Sequence, residues 1–362
     1  MKEKPVIIAL ESFREQGERI NEIICKWRDS KNLMVSCQCP RFSSGEAKGI
    51  IGDSIRDRDI YILVDVTNSS ITYKMDGSLN RMSPDDHYQD LKRVIAACNG
   101  KAARITVIMP FLYESRQHRK TGRESLDCAL MLKEMEFLGV NNIVTFDAHD
   151  PRMQNVLPLH GIENISPALQ FTQAFLTEYE DITIDSDHLM FIAPDEGATE
   201  RVVFLATLFG VNIGMFYKRR DYSRIVEGTN PIIAHEFCGG SLEGVDAIVV
   251  DDMIASGGSL IDVCRQIKER GARRVFVFST FGLFTSGLDK MDKAYEDGLF
   301  NKIFTTNLVH QKSELLEKEY YFSVNMNRYI AAIIDTLNKN DSMLQLAKPE
   351  QRIRQTIKNY KN

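Results

Sequence analysis

Residues 249–259 (VVDDMIASGGS) place two adjacent carboxylates, Asp251 and Asp252, after a run of apolar residues and just before a loop of small residues. A carboxylate next to an apolar run is costly unless it is paired or used, so the pair is a candidate for chemistry. Ala255, Ser256, Gly257, Gly258 and Ser259 offer backbone N–H groups with little side-chain obstruction. An amphipathic stretch follows, with Leu260, Ile261, Val263, Cys264 and Ile267 at helical spacing and Gly271 closing it. Strand, loop and helix in that order set the loop at the carboxyl end of a strand, where open α/β sheets bind ligands. Loop N–H groups and a helix N-terminus suit a phosphate monoester, whereas the acids suit the hydroxyls of a sugar diol. The loop has neither the Lys of a Walker A motif nor the spacing of G-x-G-x-x-G. The plainer alternative is a Gly-rich strand-to-helix turn with solvated aspartates.

The elements that must position these groups alternate along the chain. Short apolar, β-branched runs predict strands at 6–9, 60–66, 105–109, 143–146, 189–193, 211–216, 247–250, 275–280 and 303–305. Amphipathic stretches predict helices at 13–28, 89–99, 124–138, 166–178, 199–209, 259–270 and 326–338. Such alternation implies crossover units and parallel sheets, and runs such as AIVV suit strands buried on both faces. The pattern occurs twice, with Pro151 and Pro158 bracketing a linker. The expected organisation is two α/β domains, at 1–158 and 159–340, and a basic surface helix in a tail at 341–362. Residues 67–84, a mainly polar stretch, read as a long surface loop.

Composition narrows the function classes. The chain has 362 residues, 45 basic against 50 acidic, for a net charge of −5. An acidic chain is a poor general nucleic-acid binder. No apolar stretch approaches membrane-spanning length, and the first residues lack the features of a signal peptide. The seven scattered cysteines suit reduced thiols in a cytoplasmic protein, and the C-x-C of Cys37 and Cys39 is a weak metal signal.

The segment around Asp251 and Asp252 resembles the phosphoribosyl-binding motif of type I phosphoribosyltransferases and of ribose-phosphate diphosphokinases. The motif alone does not separate the two. Five other segments, in order and spacing, resemble the diphosphokinases. Residues 110–125 (PFLYESRQHRKTGRES) resemble the family's ATP-site segment, with Arg116 and Gln117 as its Arg-Gln pair. Residues 145–150 (TFDAHD) resemble its Asp-Leu-His-Ala segment, which makes His149 the match for a MgATP-binding residue. Residues 193–201 (APDEGATER) resemble Pro-Asp-x-Gly-Ala, with Asp195 as the metal-associated acid. Lys218 and Arg220 in FYKRRD match the Lys-x-Arg pair that begins a mobile catalytic loop, and the irregular stretch 222–243 would be its flap. Residues 41–46 (RFSSGE) resemble Phe-Ser-Asn/Asp-x-Glu, with Phe42 stacking on adenine and Ser44 and Glu46 beside it. Departures are His118 where an acid is usual, Thr121 where an acid is common, Ser44 where Asn or Asp is usual, and Phe281 where THG-type members carry His.

The resemblance spans roughly residues 50–334 and implies two tandem phosphoribosyltransferase type I-like domains, each a mainly parallel sheet flanked by helices. It implies diphosphate transfer from ATP to ribose 5-phosphate with Mg²⁺, by a homo-oligomer built from dimers, up to a hexamer. On that reading Ala255–Ser259 hold the 5-phosphate, Asp251 and Asp252 the ribose hydroxyls, and His149 and Asp195 the metal. A catalytically silent regulatory relative and a plain phosphoribosyltransferase are the alternatives.

Overall fold

Apolar β-branched runs become strands and amphipathic stretches the helices between them in a computed structural model, which describes residues 4–98, 100–220 and 232–361, the side chains of 218–220 and 232–235 excepted. The first elements are β1 (Val6–Ala9), α1 (Arg14–Arg28), β2 (Cys37–Gln38), β3 (Ile50–Ile51), β4 (Asp59–Leu63), β5 (Thr72–Met75), β6 (Ser78–Arg81), α2 (Pro84–Cys98), β7 (Arg104–Ile108), α3 (Asp127–Phe137), β8 (Asn142–Phe146) and β9 (Gly161–Ile165). There follow α4 (Ala168–Glu178), β10 (Leu189–Ala193), α5 (Thr199–Phe209), β11 (Asn212–Arg220), β12 (Ile232–Cys238), β13 (Asp246–Ile254), α6 (Gly258–Glu269), β14 (Arg274–Gly282), α7 (Asp289–Glu296) and β15 (Lys302–Thr306). The chain closes with α8 (Ser313–Leu316), β16 (Tyr321–Val324), α9 (Asn327–Lys339), α10 (Leu344–Ala347) and α11 (Glu350–Lys361).

Two compact units result, each built on a mainly parallel sheet flanked by helices. The first comprises residues 1–167, 307–310 and 325–348. Its sheet runs β1-β4-β7-β8-β9 among the described residues, with every pairing parallel. Ile8, Ile60, Ile62 and Val107 on one face of that sheet pack with Leu91 and Val94 of α2 and Met131 and Leu132 of α3. Helix α9 returns to this unit and lies on α1, where Arg28 Nε donates to Asp335 Oδ1 at 2.6 Å and Arg28 Nη1 to Asn338 Oδ1 at 2.6 Å.

The second unit comprises residues 168–306, 311–324 and 349–362. Its sheet runs β12-β11-β10-β13-β14-β15-β16 among the described residues, parallel except for β11 with β12. Phe175, Phe276, Phe278 and Phe304 interlock edge to face in its interior.

Several local expectations are revised. The units break after β9 rather than at 158, and they share the C-terminal region, because the apolar stripes of α9 and α11 find their cover on different units. The tail is an integral helix: Ile353 and Ile357 of α11 are buried, and Tyr360 Oη donates to Tyr179 O at 2.9 Å beside α4. Residues 67–84 are not a plain loop. Asp76 and Gly77, with φ of 47° and 76°, make the two-residue turn of an antiparallel hairpin, β5–β6. Helix α2 starts five residues earlier than expected, where Ser83 Oγ accepts from Asp86 N at 3.2 Å. Part of the expected irregular flap is strand β12, and residues 221–231 lie outside the described residues.

Candidate active site

In the second unit the chain leaves β10 toward β11 on one side, then returns to lay β13 on the other side of β10. The strand order therefore reverses between β10 and β13, a topological switch point that opens a crevice at the strands' carboxyl ends. The segments with Asp195 and with Asp251 and Asp252 lie there. Asp195 follows β10, and its Oδ1 accepts from Gly197 N at 3.0 Å, capping the turn into α5. Asp251 and Asp252 belong to β13 itself, which runs on to Ile254 instead of ending at Val250, because β14 pairs with it as far as Ile254 with Gly282. Burial, reinforced by the charges of Asp252 and Asp195, pushes the Asp251 carboxyl well above the usual carboxylate range. Arg201 Nη2 lies 3.8 Å from Asp252 Oδ2, while its Nη1 donates to Gly197 O at 3.1 Å. Arg201 thus links the Asp195 turn to the acid pair. Its signal in the sequence was its position in the first turns of the helix after Asp195.

The loop after β13 has the shape its small residues imply. Gly257 adopts φ 83°, and a Cβ there would lie 2.8 Å from Met291 Sδ, so only glycine fits. Among the described residues no side chain caps α6, whose N-cap is Gly257. The backbone N–H groups of its first turn are therefore presented to an anion. Three carboxylates in mutual repulsion are an oxygen-only donor set that a hard divalent cation would relieve. Among the described residues no group of three or more His, Cys, Asp or Glu encloses a metal position. A divalent cation held here would therefore have to take further ligands from water and phosphate oxygens, as Mg²⁺ usually does.

In the first unit the ends of β7 and β8 are tied together: Met109 N donates to Val144 O at 3.0 Å and Thr145 Oγ1 to Pro110 O at 2.9 Å. This sets the Arg116–Gln117 segment beside His149. The His118 and His149 rings are 5.5 Å apart, and His118 Nε2 lies 3.3 Å from Asp150 Oδ2. Hydrogen bonds from Arg152, Nη2 among them at 2.6 Å, hold the Asp150 carboxyl down to about 2. The histidine that replaces an acid thus joins a cluster with His149 and Asp150. Arg116 is exposed, and Gln117 Nε2 donates within its own loop, to Ser125 O at 2.9 Å. Thr121 Oγ1 donates to Glu124 Oε1 at 3.1 Å.

Phe42, Ser44 and Glu46 occupy a turn beyond the β2–β3 ribbon, built on other elements than the His149 cluster. Phe42 is 54% exposed, Phe42 N donates to Glu46 O at 2.7 Å, and Ser44 Oγ donates to Glu46 Oε2 at 3.0 Å. Lys218 and Arg220 fall on the last positions of β11, and their side chains lie outside the described ones.

A doubly wound sheet with a small-residue loop at its switch point defines a class of α/β proteins that bind phosphorylated ligands. Known proteins narrow that class. A family model described as the N-terminal domain of ribose phosphate pyrophosphokinase matches residues 6–139, and one described as a phosphoribosyl synthetase-associated domain matches 231–348. Ribose-phosphate pyrophosphokinase of Mycoplasma pneumoniae is 28% identical over 273 residues, covering 75% of each chain. That of Mycoplasma genitalium is 27% identical over 311 residues, covering 85% of this chain and 84% of its own. The crystal structure of phosphoribosylpyrophosphate synthetase from Mycobacterium smegmatis shares the fold, with a TM-score of 0.74 at 20% identity over 93% of this chain and 100% of that one. The chain belongs to the ribose-phosphate pyrophosphokinase family.

Proposed function

We propose that the chain transfers the diphosphate of ATP to the 1-hydroxyl of ribose 5-phosphate, giving 5-phosphoribosyl 1-diphosphate and AMP. The observation that carries this reading is the switch point of the second unit, where Asp195, Asp251 and Asp252 adjoin an uncapped helix N-terminus behind a glycine loop. In the reaction the 1-hydroxyl oxygen bonds to the β-phosphorus as the bond from that phosphorus to the oxygen bridging to the α-phosphate breaks, and AMP leaves. Such transfers depend mainly on positioning and charge neutralisation.

The roles follow from the chemistry of the groups. N–H groups of Ala255–Ser259 bind the 5-phosphate, and Asp251 and Asp252 accept from the ribose hydroxyls. Arg201 keeps Asp252 oriented. Phe42, Ser44, Glu46, Arg116 and Gln117 seat the nucleotide, and Lys218 and Arg220 offset charge that develops on the moving group. Asp195 in the second unit and His149 in the first are each the residue that would hold Mg²⁺, and the ion would supply charge neutralisation on the phosphates. The seven free cysteines agree with work in a reducing cytoplasm, and the working unit is a dimer-based assembly of identical chains.

The test is AMP formation by the purified protein with MgATP, with and without ribose 5-phosphate. AMP should appear only with the sugar phosphate and in step with phosphoribosyl diphosphate. No AMP across a range of Mg²⁺ and phosphate concentrations would instead mark a silent relative. Diphosphate release from phosphoribosyl diphosphate and a nucleobase would mark a phosphoribosyltransferase.

A further inference from the structure

The β5–β6 hairpin has no part in the roles above, yet it packs on the turn that carries Phe42 and Glu46. Asp76 N, at the hairpin tip, donates to Ser43 O at 3.3 Å. Gly45, with φ 91°, lies so close that a Cβ there would be 2.7 Å from Met75 Sδ. The Arg41 guanidinium, at the foot of the turn, sits over the Tyr73 ring at 4.7 Å and donates to Asp90 Oδ2 at 2.9 Å. Asp90 is fixed in turn by Arg93 at 2.6 Å, and the Arg41 side chain is only 10% exposed. A large aromatic held out to solvent is thereby mounted on a turn whose far side is gripped by the hairpin. Beneath the grip lies a cleft of about 290 Å³, lined by Cys39, Arg41, Thr72, Tyr73, Met82 and Asp90 among others. The hairpin thus holds the turn through a few contacts rather than through a filled core, and single substitutions can release it.

We propose that the β5–β6 hairpin is a positioning element that pre-organises the Phe42–Glu46 turn for the nucleotide, with Tyr73 acting through Arg41 and Met75 through Gly45. Ordering the turn before the ligand arrives removes that cost from binding. The proposal rests on the assignment of this turn to ATP.

Tyr73→Ala and Met75→Ala are compared with Tyr73→Phe, which keeps the ring under Arg41. In steady-state AMP formation, Tyr73→Ala should raise KM for MgATP about fivefold, the scale of one lost cation–π contact. KM for ribose 5-phosphate and kcat should stay within about twofold, Met75→Ala should shift the same constant the same way, and Tyr73→Phe should restore it. An unchanged KM for MgATP in both alanine variants, or equal rises for the two substrates, overturns the proposal. A wild-type protein that forms no AMP overturns the diphosphokinase reading alone. The hairpin is then judged by calorimetric binding of MgATP, where an equal Kd in wild type and Tyr73→Ala overturns it.

Discussion

Asp65 has a different problem from the acids of the switch point. It is 1% exposed just beyond β4, and it accepts from Thr67 N at 2.8 Å, from Thr67 Oγ1 at 2.7 Å and from His310 N at 2.6 Å. Burial outweighs these donors and pushes its carboxyl up to about 6. An unfolded Asp titrates near ~3.9, so the folded form holds its proton to higher pH. The contribution of this group to stability is then fully present below about 4 and is lost as pH rises through about 6. Asp65→Asn should remove that part of the slope from urea midpoints measured between pH 4 and pH 7. It should also cost roughly 1–3 kcal/mol, since the carboxylate serves three donors and an amide oxygen cannot reach them all. A variant with the wild-type slope would refute this account. Asp251 is instead raised by burial together with two neighbouring acids, an arrangement that a sugar hydroxyl or a cation completes. A sequence reader sees an acid directly after an apolar run in both places. Asp251 and Asp252 were legible because a small-residue loop follows them, whereas nothing beside Asp65 announces that residue 310 comes back to it.

At the scale of elements, β13, its loop and α6 form one device, and Gly257 is its hinge of shape. With φ 83° and Met291 Sδ 2.8 Å from any added Cβ, Gly257→Ala meets both backbone strain and a clash. Left-handed strain alone costs about 1–2 kcal/mol, and the loop can relieve it only by shifting the N–H groups that face the anion. Gly257→Ala should therefore raise KM for ribose 5-phosphate by about tenfold or more while KM for MgATP moves little, as read from initial rates with each substrate varied in turn. Gly258→Ala is the control, since a Cβ there meets nothing closer than Ser256 Oγ at 4.0 Å. Equal effects of the two would remove the special role of Gly257. This device, and most strands and helices around it, were legible because buried parallel strands and amphipathic crossovers write distinct periods. The β5–β6 hairpin was not, because its alternation lasts only the four residues Thr72–Met75 and β6 does not repeat it, which leaves the Asp76–Gly77 pair as its strongest sign. The overlooked extension of β13 to Ile254 has a similar cause: two aspartates mid-strand read as an end, although β14 continues alongside them.

The whole chain is organised by where its last helices go. The sequence predicted α9 as an amphipathic helix and the tail as a basic surface helix, but it could not say which unit each would cover. Helix α9 closes the first unit on α1, and α11 closes the second on α4 and α5. In α11 Ile353 is 0% and Ile357 6% exposed, Tyr360 Oη accepts from Ile182 N at 2.8 Å, and Lys361 Nζ donates to Ile184 O at 2.9 Å. Removing a buried branched side chain leaves a cavity as well as losing its transfer energy, so Ile353→Ala should cost ~2–5 kcal/mol. The loss should be local to the unit that α11 covers, because distant sites without shared partners contribute independently. Hydrogen exchange should then speed in α4, whose residues lie under α11, while α1 and α9, held by Arg28 with Asp335 and Asn338, keep their protection. Arg28→Ala should give the converse pattern, exposing α1 and α9 and sparing α4. If either substitution loosened both pairs of helices alike, the C-terminal region would be a shared fastening of the two units and not two separate closures.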